Sequence, residues 1–192
     1  MRKNLFIVCL FLLYSIICTA QDKTPTQFVY GDISYGFENN IGNTGLIMGI
    51  GYQRTLNYKF IFQSDFHYFN SEIINQNLQI DEPYNIDRVR DHSVFLSAAL
   101  GYALIGNEYK FNLTVKGGPS LCYNKFYMYT GSSTILPDRG DRLRIGLNFG
   151  LDVNIPIRKK NFLTFGFLSY SSDIPLQYLV FPIPMVSYKL KL

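Results

Sequence analysis

Between Leu143 and Ile155 the chain alternates without a break. Leu143, Ile145, Leu147, Phe149, Leu151, Val153 and Ile155 are apolar, and Arg144, Gly146, Asn148, Gly150, Asp152 and Asn154 stand between them. A period of two marks a strand with one apolar and one polar face. The same reading gives seven further strands. Residues 28–37 set Val29, Ile33, Tyr35 and Phe37 against Tyr30, Asp32 and Ser34. Residues 46–54 set Leu46, Met48, Ile50 and Tyr52 against Gly49, Gly51 and Gln53. Residues 60–69 set Phe60, Phe62, Phe66 and Tyr68 against Gln63, Asp65 and His67. Residues 93–104 set Val94, Leu96, Leu100 and Tyr102 against Ser97, Ala99 and Gly101. Residues 109–123 set Phe111, Leu113, Val115 and Leu121 against Asn112, Thr114, Lys116, Ser120 and Cys122. Residues 162–170 are apolar on both faces, and Leu163, Phe165 and Phe167 are assigned outward. The last strand alternates Val186, Tyr188, Leu190 and Leu192 with Ser187, Lys189 and Lys191. Pro182 and Pro184 must precede its paired part or sit where no ladder bond is needed.

Alternation does not say which face is inside. In a soluble sandwich the apolar face packs inward; in a membrane barrel it meets lipid and the polar face lines the lumen. The connections separate the two. Short turns at 55–59, 105–108 and 156–161 follow strands two, four and six, whereas loops at 38–45, 70–92 and 124–142 follow strands one, three and five. Short turns on one side and long loops on the other are the habit of outer-membrane barrels. Several segments reach the roughly 9–11 residues that a tilted strand needs to cross the apolar slab. An even number of strands pairs the first with the last and puts both termini on the periplasmic side. The sequence therefore predicts an all-β protein: an eight-stranded antiparallel up-and-down transmembrane β-barrel.

Composition adds the compartment. The chain has 15 Tyr, 16 Phe, 15 Gly and no Trp, an all-β profile. Arg2 and Lys3 precede an apolar run over 5–17 and the small residues of "CTA". This is the pattern of a secretory signal peptide, residues 1–20, cut after Ala20. The run is shorter than the roughly 20 residues of a spanning helix. Ile16 and Ile17 argue against lipidation at Cys18, which favours small neighbours. Residues 21–192 then form one domain, the barrel. Loss of Arg2 and Lys3 lowers the formal charge from +4 to +2, which gives no reason to expect a nucleic-acid partner. Only Cys122 survives cleavage, so an intrachain disulfide and a cysteine-based zinc site are excluded.

Gln21 directly after the signal, "GYQRTLNYKF" at 51–60, "GPSLCY" at 118–123 and the closing "VSYKLKL" at 186–192 resemble the small outer-membrane β-barrels common in Bacteroidota, of the OmpA/OmpX/OmpW-like and PorT-like kind. The resemblance covers essentially the whole mature chain and rests on the order and spacing of the motifs. Leu192 stands last where many members carry Phe. The resemblance implies an outer-membrane location, outer-membrane lipid as surroundings and insertion by the barrel-assembly machinery. It implies no single activity, because fold does not fix function.

An eight-stranded barrel is filled by its own side chains or holds one small ligand. Asp32, Asp65, Lys116, Arg144, Asp152, Lys189 and Lys191 are therefore expected to form a paired lumen network. Gly49, Gly51, Gly146 and Gly150 would make room for it. A substrate channel is disfavoured by the barrel's size. His67 is placed on the polar face near the external end of strand three, and His92 stands with Asp91 and Ser93 just before strand four. A His, a Ser and an acid near the membrane surface resemble lipid-A-deacylating barrels, but consecutive strand residues face opposite ways. "VKGGPS" precedes no helix and reads as a bend, not a phosphate loop. Cys122 reads as a small lumen residue. The expectation is a structural or loop-mediated interaction role, with no catalytic residue, cofactor or metal. An unknown partner would bind the external loops 70–92 and 124–142, and Tyr123, Phe126, Tyr127 and Tyr129 would form an upper aromatic girdle. The alternatives are a lipid-A-modifying, deacylase-like enzyme and a soluble periplasmic barrel that binds a hydrophobic ligand.

Overall fold

A computed structural model describes residues 26–38, 44–57, 59–78, 86–106, 112–130, 135–137, 142–172 and 178–192. The segment read as a signal peptide lies outside them, as does Phe111. The strands are β1 (Gln27–Glu38), β2 (Thr44–Thr55), β3 (Phe60–Leu78), β4 (Ile86–Gly106), β5 (Asn112–Thr130), β6 (Ile135–Pro137), β7 (Arg142–Arg158), β8 (Asn161–Ser172) and β9 (Tyr178–Lys191). All pair antiparallel. Eight of them form the ring, in the order β1-β2-β3-β4-β5-β7-β8-β9, and β6 is a three-residue addition to the edge of β5. The ring closes where β1 meets β9, in a register that runs from Phe28 opposite Lys191 to Glu38 opposite Val180.

The apolar stripe is outside. Leu147 and Phe149 are 38% and 53% exposed, whereas Asn148 and Asp152 are fully buried. Ile50, Leu143 and Ile145 are 66%, 71% and 72% exposed. The assigned phase of residues 162–170 holds as well: Phe165 and Phe167 are exposed, and Thr164, Leu168 and Tyr170 are buried. A soluble barrel inverts this arrangement. Here the outer wall is a continuous apolar belt, a surface that water does not tolerate. The belt crosses the strands at the row of Tyr68, Val94, Tyr123 and Leu143, and the next row beyond it is Asn70, His92 and Lys125.

Two sequence expectations need correction. The loop expected at 70–92 is mostly strand: β3 runs to Leu78, β4 starts at Ile86, and Asn70 to Ile74 pair with His92 to Arg88. The loop expected at 124–142 is likewise occupied by β5 as far as Thr130 and by β6. The physical reason is common to both. Beyond the belt neither face needs to be apolar, so the period of two fades while the ladder continues. The prolines take the second of their two expected placements, where ladder bonds are missing. Pro182 and Pro184 lie inside β9, and the register against β1 slips between Ile33 and Tyr35. A bulge needs fewer ladder bonds, which is where a residue without an N–H is tolerated. The turn at 156–161 is tighter than its sequence suggests, with β7 reaching Arg158 and only Lys159 and Lys160 in the turn.

Phe149→Arg is expected to destabilise the barrel by about 2–4 kcal/mol, the cost of a cation on the lipid face near the midplane. Lys160→Glu in the turn is expected to change stability by less than about 0.5 kcal/mol. Reversible urea unfolding from lipid vesicles, with heat-modifiable gel mobility as the folding readout, measures both.

Candidate functional site

The lumen is built in tiers. Nearest the chain termini, Lys189 on β9 donates to Gln53 Oε1 at 2.9 Å, Asn154 Oδ1 at 2.9 Å and Asp152 Oδ2 at 3.2 Å. Lys116 on β5 donates to the same Asp152 oxygen at 2.9 Å. Two ammonium groups on one carboxylate satisfy charges that burial would otherwise make very costly. Glycine makes this geometry possible. A side chain at Gly150 would strike the Lys116 stem, and one at Gly166 would press on Asp152 Oδ1.

The next tier holds Asp65, which accepts from Gln63 Nε2 at 2.9 Å and from Ser97 Oγ at 3.1 Å. Beside it, His67 Nε2 lies 2.9 and 3.1 Å from the two oxygens of Asp32, and Tyr170 Oη lies 2.6 Å from His67 Nδ1. With Nε2–H donating to the carboxylate, the tyrosine hydroxyl donates to Nδ1, so both ring nitrogens are held. Gly49 is opposite, where a side chain would overlap the His67 ring.

Above this the lumen turns apolar. Phe95 stacks on Tyr170 at 4.3 Å, and Ile47, Phe69, Leu168, Val180 and Met185 complete a buried cluster. At its side, Asn124 joins Ser93 and Cys122 in hydrogen bonds of 2.7 and 2.9 Å, and Ser93 donates to Asp91 at 2.9 Å. The described side chains thus pack across the far half of the barrel, as in a narrow ring of eight strands.

The structure brings together Asp32, Asp65, Lys116, Asp152 and Lys189 in the lumen, as the sequence implied. Arg144 and Lys191 are half-buried, with Lys191 at the mouth on the terminal side. Two placements differ. His67 is not at the external end of its strand but in its middle, because β3 is longer than its polar sequence suggested. His92 does not precede β4 but lies within it. It faces outward, away from Asp91 and Ser93, and its Nδ1 lies 2.6 Å from Tyr68 Oη. The neighbourhood that resembled a deacylase is thus split across the wall. Sequence reasoning missed Tyr170, which lies 103 positions from His67, and missed the apolar tier. The available signal was an apolar residue on the polar faces of β2, β3 and β4, at Ile47, Phe69 and Phe95, and the two-sided apolar pattern of β8 that includes Leu168.

A second constellation lies on the outer face just beyond the belt. Arg88 and Arg90 on β4 meet Glu72 on β3 at 3.1 and 3.2 Å, and both guanidinium groups lie 5.8 Å from the Tyr129 ring. Lys125 lies 5.1 Å from the Tyr127 ring, and His92 meets the same ring edge-on at 5.6 Å. Partial burial, then Arg90 and Lys125, hold the His92 imidazole below its ordinary range. Tyr123, Tyr127 and Tyr129 share this face, as expected of a girdle; the side chain of Phe126 lies outside the described residues. Among the described residues no group of His, Cys, Asp and Glu is arranged to hold a metal ion.

An apolar exterior, an enclosed charged interior and a sheet with no open edge define a barrel that spans a membrane with its strands. No protein-family model matches the chain, and no curated protein matches it. Solved structures do. Neisserial surface protein A matches with a TM-score of 0.59 at 12% identity, over 88% of this chain and 100% of that one. Ail, the attachment invasion locus protein of Yersinia pestis, solved in complex with the heparin analogue sucrose octasulfate, matches with a TM-score of 0.58 at 11% identity, over 88% of this chain and 100% of its own. The outer membrane protein OprG from Pseudomonas aeruginosa matches with a TM-score of 0.54 at 11% identity, over 89% and 98%. The chain has the fold of the small eight-stranded outer-membrane barrels.

Asp152→Ala is expected to cost about 3–5 kcal/mol, because it strands two buried ammonium groups. Adding Lys116→Met to Asp152→Ala is expected to recover part of that loss. A double-mutant cycle in urea reads the coupling.

Proposed function

We propose that the protein is a non-catalytic outer-membrane barrel that binds an anionic partner outside the cell. The contact surface is the part of β3, β4 and β5 that rises beyond the apolar belt. The observation that carries this reading is the outer face of that sheet. Arg88, Arg90, His92 and Lys125 face a single acid, Glu72, among its described side chains, with Tyr127 and Tyr129 between them. Guanidinium forks match sulfate and phosphate oxygens in pairs, and tyrosine rings supply stacking area. The Ail structure, of the same fold and holding a heparin analogue, supports a sulfated or phosphorylated glycan as the partner class. In this reading the protein reaches the outer membrane after removal of residues 1–20 and is inserted by the barrel-assembly machinery. The quoted motifs ally it with the PorT-like barrels of Bacteroidota.

Two observations weigh against the alternatives. His92 and Ser93 face opposite sides of the wall, so they do not form a nucleophile–base pair. The exposed apolar belt is foreign to a soluble periplasmic barrel.

Binding of sucrose octasulfate to the barrel in nanodiscs is the test. The expected result is salt-sensitive binding that weakens at least about tenfold in the triple variant Arg88→Gln, Arg90→Gln, Lys125→Gln, since each charge-assisted contact contributes about 1.5–3 kcal/mol. Equal binding by the triple variant, or no binding by the parent, overturns the proposal.

A further inference from the structure

The lumen on the terminal side is open, and its chemistry is one-sided. A cavity of about 330 Å³ lies there, within the size range of small-molecule sites. Lys59, Arg158, Lys159, Lys189 and Lys191 line it, and no Asp or Glu does among the described residues. The nearest carboxylate, Asp152, is already shared by Lys189 and Lys116.

The amides sharpen the picture. Lys189 can only donate, so it fixes Gln53 Oε1 and Asn154 Oδ1 toward itself. Thr164 adds a second donor to Asn154 Oδ1 at 2.7 Å, and Thr114 donates to Asn112 Oδ1 at 2.7 Å. The acceptor atoms of all three amides are thereby occupied. Their NH₂ groups meet no acceptor among the described residues, and all three residues line the cavity. Lys189 has spent its three hydrogens on neighbours and contributes only its field. The cavity thus offers cations and amide donors to an occupant, and no carboxylate among the described residues competes for them. Phe28 and Phe162, packed edge to face at 5.4 Å, form part of its wall beside Ile61 and Ala103, and give an apolar surface as well.

We infer that this end of the barrel is a blind cup for a small molecule bearing a phosphate-class oxyanion. The oxyanion lies against the Gln53, Asn112 and Asn154 amides, under the rim cations Arg158 and Lys191, and the rest of the molecule lies along the phenylalanine wall. The apolar tier closes the other end, so the ligand enters and leaves by one mouth. That this mouth opens to the periplasm rests on the outer-membrane placement proposed above; the site itself does not.

The test uses the full mature chain in nanodiscs, with inorganic phosphate as the probe and chloride at equal ionic strength as the control. The readout is the side-chain amide resonances of Gln53 and Asn154. The expected result is a saturable shift with phosphate and none with chloride. Arg158→Gln with Lys191→Gln is expected to weaken it at least about tenfold. Gln53→Glu replaces the donor with a carboxylate that still pairs with Lys189, so the barrel folds and the phosphate response disappears. Arg88→Gln with Arg90→Gln, at the opposite end, leaves the response unchanged. An equal shift with chloride, a shift that survives Gln53→Glu, or no saturable shift overturns the inference. So do amide resonances that ignore phosphate but respond to Asp22→Asn, which would show the chain's own amino-terminal segment filling the cup.

Discussion

A peptide group in hydrocarbon has no water to bond, so a sheet that crosses a bilayer can have no edge. In this chain the constraint is met at one seam, where β1 and β9 pair from Phe28 and Lys191 to Glu38 and Val180. Once the ring is closed, the remaining features follow. Alternate side chains must face lipid or one another. Those that face one another are confined in a cylinder narrow enough that a buried charge has to find polar or charged partners and a long side chain needs a small one opposite. Lys116 and Lys189 on Asp152, His67 between Asp32 and Tyr170, and the glycines facing them are consequences of closure.

The interior is divided. The apolar tier around Phe95 and Tyr170 separates the basic outer face on β3, β4 and β5 from the cup at the terminal mouth. The two ends are both rich in cations but arrange them differently. The outer face uses guanidinium and tyrosine on an open sheet. The cup uses oriented amides whose acceptor oxygens are tied down.

The wall was the most legible part of the sequence. Within the belt each position must be either lipid-facing or lumen-facing, so the period of two is written into Leu143 to Ile155 and repeated in the other strands. Strand ends were less legible because that demand stops at the belt. Residues such as Asn70, Ser71, Asp91 and His92 read as loop by composition yet pair in register. The charged members of the lumen were visible as residues on polar faces, but their partners were not. Local pattern cannot tell which strand lies opposite, and Tyr170 meets His67 only because the ring brings β8 across from β3. Ile47, Phe69, Phe95 and Leu168 are apolar residues on the lumen side of their strands. Together they form the seal.

The strands differ in height. β3, β4 and β5 have 19, 21 and 19 residues, whereas β1, β2 and β8 have 12 each. At roughly 3.3 Å per residue, β3 outruns β2 by about 23 Å of ladder. Traced by the described strands, the mouth away from the termini is therefore a crescent and not a level collar. A molecule gliding along the bilayer meets a tall convex back from one side and a low front from the other. In a crowded membrane such a barrel has a compass bearing, and its neighbours are not equivalent.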